Sequence, residues 1–277
     1  MSVVKGESPF GLSHDELARE AARFGVSDEQ VQRDHAISHI LASISEQCRD
    51  DVIFFGGTAL SRTHLLHARL SEDIDLLALA PRGELADRLA KVISQGLLRT
   101  HGRISWNPGF AIRDDAQAAI METPSGIAVK IQLLANEGYS RWPVEERPVE
   151  QRYRDARPAS LVVPTMSSFV GWKTDAWLGR QAPRDLYDLW ALSELGAINA
   201  SAVDAFVRYG PTGRPPREFM FAKAPTHEAW IAALGSQTRI EVGPSEALAA
   251  VRAAWAKALN EDWAQDSFVD GPSGANT

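Results

Sequence analysis

The segment DVIFFGGTALSRTHLLHARLSEDIDLLAL, residues 51–79, contains two predicted strands joined through a glycine pair and a helix. The β-branched and aromatic residues over 51–55 predict a short buried strand, which Gly56–Gly57 ends. Residues 58–67 predict a helix, and residues 73–79 predict a second strand. We therefore expect the glycine turn and the start of the second strand to lie at the same edge of a sheet.

The glycine pair has the features of a phosphate-binding turn. Glycines allow the backbone to approach a ligand closely, and the free N–H groups at a helix amino end attract phosphate. Thr58 and Ser61 add hydroxyl donors next to Gly56 and Gly57. No Gly-Lys-Ser/Thr sequence follows, so the segment is not a Walker loop. A glycine pair that only joins a strand to a helix stays the alternative.

Two acidic residues on the second strand form a candidate metal site. Because strand side chains alternate, Asp73 and Asp75 project from one face while Ile74 and Leu76 enter the core. Two neighbouring carboxylates repel each other unless a cation neutralises them, and Mg²⁺ prefers such oxygen ligands together with substrate phosphates. An isolated Asp-x-Asp on a solvent-facing strand is the alternative. The nearby glycine turn favours the metal site.

A third group of charged residues lies on two predicted helices. Lys173 and Arg180 fall on one helical face, and Asp185 lies in the first turn of the next helix. An acidic residue suits any helix start, and Asp188 is spaced to pair with Arg184 on its own helix. Neither of these two interpretations requires a ligand. The charged residues therefore indicate a site only in combination with the glycine turn and the acidic strand.

Taken together, the three groups resemble the AbiEii/AbiGii (MenT-type) family of nucleotidyltransferase toxins. The resemblance covers residues from about 50 to 195, and its specificity comes from the order and spacing of the motifs. The matching motifs are Gly56-Gly57-Thr58-Ala59-Leu60, Arg69-Leu70-Ser71-Glu72-Asp73-Ile74-Asp75-Leu76, Lys173 with Ala176 and Arg180, and Arg184-Asp185-Leu186-Tyr187-Asp188-Leu189.

The resemblance implies an α+β fold: a DNA polymerase β-like nucleotidyltransferase core, with a mixed sheet flanked by helices, and a helical carboxy-terminal domain. We expect the core with its helical lead-in over residues 1–150, the helical domain over 151–265 and a flexible tail over 266–277. Relatives of this kind transfer a nucleotide from an NTP, often a pyrimidine, to the 3′ acceptor end of tRNA, which blocks aminoacylation and translation. A cognate antitoxin protein is the implied partner.

The resemblance also assigns roles to residues of this chain. Asp73 and Asp75 would ligate Mg²⁺, or alternatively Mn²⁺, and together with Lys173 and Asp185 would be catalytic. The role of Asp185 is left open between a base, a hydrogen-bond acceptor and a structural anchor. The residues implied in binding the NTP are Gly56, Gly57, Thr58, Ser61, Ser71, Lys173 and Arg180.

One position departs from the family pattern. Polymerase β-like enzymes often have a third carboxylate on a later strand, where this chain has Gln132 in the sequence Val-Lys-Ile-Gln-Leu. An amide oxygen is neutral, so a second metal would be weaker or absent. Two other functions remain open. In the first, the acceptor is a small molecule or a protein; in the second, the chain is an inactive nucleotide-binding relative.

Composition limits the possible locations and partners. The 277 residues carry a net charge of −7 and a single cysteine, which argues against a disulfide scaffold and against binding nucleic acid through overall charge. No apolar run approaches the ~20 residues of a membrane helix, so we expect a cytoplasmic protein without membrane contact. Two local basic clusters favour RNA: Arg147, Arg152, Arg154 and Arg157, and Arg208, Arg214, Arg217 and Lys223.

The rest of the chain predicts helices over 11–50, hairpin strands over 116–122 and 127–134, and helices after Pro164, with residues 138–160 as a connector. Histidines at 35, 39, 64 and 67 have spacings that can bind zinc, but we interpret them as packing or surface residues, with His64 or His67 near the nucleotide. The tryptophans at 172, 177 and 190 are expected to pack the helical domain.

Overall fold

The computed structural model describes residues 11–110, 117–137 and 142–263. Its α-helices are α1 (His14–Phe24), α2 (Asp28–Gln47), α3 (Gly56–Thr63), α4 (Arg82–Leu97), α5 (Met166–Arg180), α6 (Pro183–Glu194), α7 (Ala200–Tyr209), α8 (His227–Leu234) and α9 (Pro244–Leu259). Its strands are β1 (Val52–Phe55), β2 (Asp73–Ala78), β3 (Ser105–Trp106), β4 (Ala119–Glu122), β5 (Ala128–Leu134), β6 (Val144–Val149) and β7 (Ala159–Pro164). The predicted α+β class is confirmed.

A mixed five-stranded sheet forms the first half, in the order β1-β2-β5-β4-β3. Strand β2 runs parallel to β5 and antiparallel to β1. In this register Asp75 lies between Phe55, the last residue of β1, and Gln132 of β5, while Asp73 lies opposite Lys130. The end of β1 and the beginning of β2 therefore meet at one edge of the sheet, as the sequence predicts.

The core lies on the side of β2 that faces away from the two aspartates. Ile74 and Leu76 are completely buried, as expected from the alternation of side chains along a strand. Helix α2 packs on α4, and both contact the sheet. Ile37, Ile40 and Ile44 recur at helical spacing along α2 and are also fully buried. This packing fixes β2 in the sheet and leaves its acidic face toward the second half of the chain.

The prediction of a connector over 138–160 is wrong. Strands β6 and β7 form an antiparallel hairpin, with Val144 opposite Pro164 and Val149 opposite Ala159. The outer strand β6 alternates between more and less exposed residues and contains Pro148, which an edge strand tolerates because it has a free N–H side. The predicted boundary between residues 150 and 151 falls inside this hairpin, and its position stays a prediction.

The second half of the described chain is mainly helical. Thr165 caps α5 through its side chain, and α6 begins with a proline, which suits the first helical position. Between them, Gln181 adopts a left-handed conformation with φ of 48°, so that α6 turns back against α5. The described helices include none that is both long and apolar enough to cross a membrane. The predicted tail over 266–277 lies outside the described residues.

Candidate active site

The glycine turn packs directly against the acidic strand. Helix α3 begins at Gly56, immediately after β1. Gly56 has φ of +78°, and a Cβ atom built on it would lie 2.0 Å from Oδ2 of Asp75. A Cβ on Gly57 would lie 2.8 Å from Nη2 of Arg69 and 3.2 Å from Oγ of Ser71. Gly56 is therefore required by close approach and by its backbone conformation, whereas a side chain at Gly57 would have to displace the guanidinium of Arg69.

Asp75 lies on β2 in an environment that disfavours its negative charge. Burial, together with the negative charge of Asp73, raises the pKa of Asp75 from 3.8 to about 6. The positive charges of Lys173, Lys130 and Arg180 lower it, but they do not compensate fully. A buried carboxylate whose ionisation is opposed by burial and by a neighbouring negative charge is a donor that a divalent cation would neutralise. Asp73 and Asp75 offer carboxylate oxygens of the kind that Mg²⁺ prefers.

A cavity of about 420 Å³ connects the three groups of sequence motifs. Gly56, Gly57 and Asp75 line one side of it, and α5 lines another with Lys173 and Arg180. Residues that the chain separates by more than one hundred positions thus face one space. The described geometry gives this cavity a glycine turn at a helix start, one carboxylate and two cations, while Asp73 is not among its lining residues. Gln132, which occupies the position of the third acid, also lines it.

A row of side chains with alternating positive and negative charge connects the elements next to this cavity. Arg69 donates from Nε and Nη2 to the two oxygens of Asp188, at 2.7 and 2.8 Å. Nζ of Lys173 lies 2.7 Å from Oδ2 of Asp188 and 3.2 Å from Oδ1 of Asp185. Arg180 donates from Nε and Nη2 to Asp185, at 2.6 and 2.9 Å. The row links the segment before β2 to both α5 and α6.

The position of Asp185 favours one of its three proposed roles. Its side chain is completely buried, and both of its oxygens accept hydrogen bonds from Lys173 or Arg180. A base must reach the proton that it removes, but this carboxylate is enclosed by protein cations and is not among the residues lining the cavity. The contacts therefore support a structural anchor that orients Lys173 and Arg180.

Asp188 has a role at this site that helical spacing alone does not reveal. Burial opposes ionisation of Asp188, but the charges of Arg69 and Lys173 outweigh it and hold the pKa of Asp188 below its usual value. The sequence suggests Arg184 as its partner; in the structure its partners are Arg69 and Lys173. The only signal in the sequence was that Asp188 belongs to the matched motif.

The hydroxyl groups of α3 are directed into the protein. Thr58 is buried, and its hydroxyl donates to the backbone carbonyl of Asp73. Ser61 is also buried, and its hydroxyl donates to the carbonyl of Thr58 at 3.2 Å. Neither residue lines the cavity. The bond from Thr58 instead ties α3 to the acidic strand, which fixes the glycine turn relative to Asp73.

Aromatic residues form one wall of the cavity. The rings of Phe55 and Trp172 stack with centroids 4.7 Å apart and planes 12° apart. Trp172 also lines a second cavity of about 320 Å³, where it faces Trp142. Trp172 packs against the hydrophobic core and also borders both cavities. Its spacing of four residues from Ala176 on the same helix is the sequence signal that places it there.

The two basic clusters differ in exposure. Arg152 is buried and bonds to Asp34 at 3.0 Å and to Glu150 at 2.8 Å, so the first cluster is not an open basic patch. All four members of the second cluster are exposed: Arg208, Arg214, Arg217 and Lys223. His64 bonds to Glu145, and neither His64 nor His67 lines the cavity.

Known proteins resemble this chain in sequence and in fold. The model of a family described as the nucleotidyl transferase AbiEii toxin, of type IV toxin–antitoxin systems, matches residues 39–268. The fold is similar to that of MenT4, a nucleotidyltransferase toxin from Mycobacterium tuberculosis H37Rv, with a TM-score of 0.66 and 21% sequence identity over 91% of each chain. No curated protein matches the sequence. The family match includes every residue that lines the larger cavity.

Proposed function

The chain belongs to the AbiEii family of nucleotidyltransferase toxins, and from this premise we propose that it transfers a nucleotide from an NTP, preferably a pyrimidine NTP, to the 3′ acceptor end of tRNA. Such a transfer would block aminoacylation and therefore translation. The observation that supports this proposal is that one cavity is lined by Gly56, Gly57, Asp75 and Lys173. The proposed substrates are cytoplasmic molecules, so the proposal includes a cytoplasmic location.

The acidic pair provides the metal site of this proposal. Asp73 and Asp75 would hold Mg²⁺, or Mn²⁺ in its place, and the ion would neutralise triphosphate charge and polarise the reacting oxygens. Gln132 offers a neutral oxygen next to Asp75, so the chain supplies two carboxylates at this position of the sheet. The backbone N–H groups at the start of α3, with Ser71 near Gly57, would receive the phosphates.

Cations from α5 would act on the same phosphates. Lys173 and Arg180 face the cavity, where positive charge would stabilise the pyrophosphate as it leaves. Their contacts with Asp185 and Asp188 fix both side chains before substrate binds. Phosphoryl transfer depends mainly on positioning and charge neutralisation. We therefore assign Asp185 and Asp188 as positioning residues for these cations.

An exposed basic surface supports tRNA as the acceptor. Tyr209, at the end of α7, contacts Trp142 with ring centroids 5.9 Å apart, which places the start of the second basic cluster beside the smaller cavity. Within that cluster Phe219 is 72% exposed. Exposed aromatic rings among cations are typical of surfaces that bind single-stranded nucleic acid. Trp172 would offer a stacking surface to a base.

A transfer assay separates this proposal from its alternatives. Purified protein would be incubated with each labelled NTP, with total tRNA, with small-molecule acceptors and with protein extract, in Mg²⁺ or in chelator. We expect Mg²⁺-dependent label in tRNA, and none after periodate oxidation of the tRNA 3′ ends. Label in small molecules or protein, but not in RNA, would contradict the tRNA proposal.

Variants test whether the site performs the transfer. Asp73→Asn should remove activity, whereas Asp87→Asn, which changes an exposed carboxylate on α4, should keep it. Wild-type protein that is inactive with every NTP and acceptor would support an inactive nucleotide-binding relative. An antitoxin is the proposed protein partner, and its co-expression should suppress toxicity of the active wild type.

A further inference from the structure

A second cluster of potential metal ligands lies apart from the cavity. His35 and His39 are one turn apart on α2, and Asp155 lies in the loop between β6 and β7. Their side chains are 4%, 8% and 2% exposed, respectively. None of the three lines either of the cavities that border Trp172. The cluster is therefore largely shielded from solvent, with Asp155 partly buried, and it is separate from the proposed catalytic centre.

The ligand atoms have the spacing of a metal coordination shell. Nε2 of His35 is 3.2 Å from Oδ2 of Asp155 and 3.3 Å from Nε2 of His39. Nε2 of His39 is 3.3 Å from Oδ2 of Asp155. Tetrahedral zinc has bonds of about 2.0–2.1 Å to such ligands, which places neighbouring ligand atoms about 3.3 Å apart. The three atoms thus match one face of a zinc tetrahedron.

A neighbouring histidine fixes the orientation of the first imidazole. Nδ1 of His35 lies 3.1 Å from Nε2 of His101, and Nδ1 of His101 lies 2.8 Å from the hydroxyl of Thr100. When Nδ1–H of His35 donates to His101 and Nδ1–H of His101 donates to Thr100, the Nε2 lone pair of His35 points toward His39 and Asp155. A metal-bound histidine commonly donates its other ring N–H in this way.

The donor types agree with zinc chemistry. Two imidazoles and one carboxylate form a donor set that zinc prefers.

We propose that His35, His39 and Asp155 bind a transition-metal ion, best matched by Zn²⁺, with solvent in the fourth coordination position. The ion would join α2 to the loop between the two hairpin strands. Because these elements support the sheet from outside the cavity, the metal would stabilise the fold and would not take part in transfer. The proposal does not depend on the substrate of the active site.

Metal binding can be measured without an activity assay. Tag-free protein carrying Asp75→Asn, which weakens the catalytic metal site, would be stripped with chelator and titrated with Zn²⁺ or Co²⁺. We expect about one equivalent to bind, with a tetrahedral Co²⁺ absorption spectrum. A hundredfold excess of Zn²⁺ over the dissociation constant should raise the melting temperature by about 5 °C or more.

Variants of the cluster complete the test. His39→Gln should lose the bound metal and the thermal shift, whereas His227→Gln, a change at an exposed histidine, should keep both. If His39→Gln does not fold, Asp155→Asn and the Co²⁺ spectrum of the parent chain decide. Absence of binding and of any thermal shift in the parent, or stoichiometric zinc retained by a folded His39→Gln, would overturn the proposal.

Discussion

Replacing Gly56 by alanine should inactivate the protein through the carboxylate of Asp75. The new Cβ would lie 2.0 Å from Oδ2, 2.8 Å from Cγ and 3.0 Å from Cβ of Asp75. Real Cβ contacts essentially never fall below 3.0 Å, so the carboxylate must move by about 1 Å or more. The contact includes the Cβ atom of Asp75, so rotation of the carboxylate alone does not relieve it.

The expected loss follows from this displacement. A misplacement of about 1 Å in a catalytic group can cost about 10²-fold in rate, which corresponds to about 3 kcal/mol in the activation barrier. A separate cost arises because an L-residue at φ of +78° is disfavoured by about 1–2 kcal/mol. This second cost affects folding stability and requires no change at the active site.

A second glycine separates the two costs. Gly126, in the turn between β4 and β5, has φ of +86° and nothing within 4 Å of a built Cβ. Gly126→Ala should therefore lose about 1–2 kcal/mol of unfolding free energy and keep its transfer activity. Gly56→Ala should lose at least as much stability and about 10²-fold in activity. Both are measured by urea unfolding and by the rate of nucleotide transfer.

Two outcomes would refute this reasoning. If Gly56→Ala is folded and transfers nucleotide at the wild-type rate, then the position of Asp75 against the glycine turn is not important for activity. If Gly126→Ala loses activity to the same extent, then the loss comes from general destabilisation, and the close approach at Gly56 does not explain it.

Three further predictions concern charges at the site. Without metal, the carboxyl of Asp75 has a pKa near 3.8 in the unfolded chain and about 6 in the folded chain. Ionisation of Asp75 therefore reduces the free energy of unfolding as pH rises through this window. Asp75→Asn should raise the free energy of unfolding by about 3 kcal/mol at pH 7.5 and show no such gain at pH 3.5. Asp188→Asn leaves Arg69 and Lys173 without their shared anion, and urea denaturation should show a loss of about 3–5 kcal/mol; an unchanged midpoint would contradict the anchoring role. Gln132→Glu adds a carboxylate in register with Asp75. Calorimetry above pH 7 should therefore show tighter Mn²⁺ binding. Unchanged or weaker affinity for Mn²⁺ would place residue 132 outside the metal site.

The local parts of the site could be predicted from sequence. The alternation of Asp73 and Asp75 with buried Ile74 and Leu76 depends only on the geometry of a strand. The glycine turn depends on two adjacent residues at the end of a short apolar run. Such patterns are complete within a few positions of the chain, so the sequence contains enough information to place them.

The missing parts depend on contacts between distant residues. Asp188 bonds to Arg69, which lies 119 positions earlier, and no helical spacing indicates that pair. Strand β6 contains Glu145, Glu146 and Pro148, which resemble a loop in isolation; its pairing with β7 gives the segment its structure. Thr58 has a suitable hydroxyl at the turn, but the fold directs that group to the carbonyl of Asp73.

A crystal structure with Mn²⁺ and a non-hydrolysable NTP analogue would test the proposed site most directly. Anomalous scattering should locate Mn²⁺ between the carboxylates of Asp73 and Asp75, with the triphosphate reaching the Gly56–Gly57 turn and Lys173. An ion bound away from both aspartates, or a nucleotide bound outside this cavity, would contradict the proposed site.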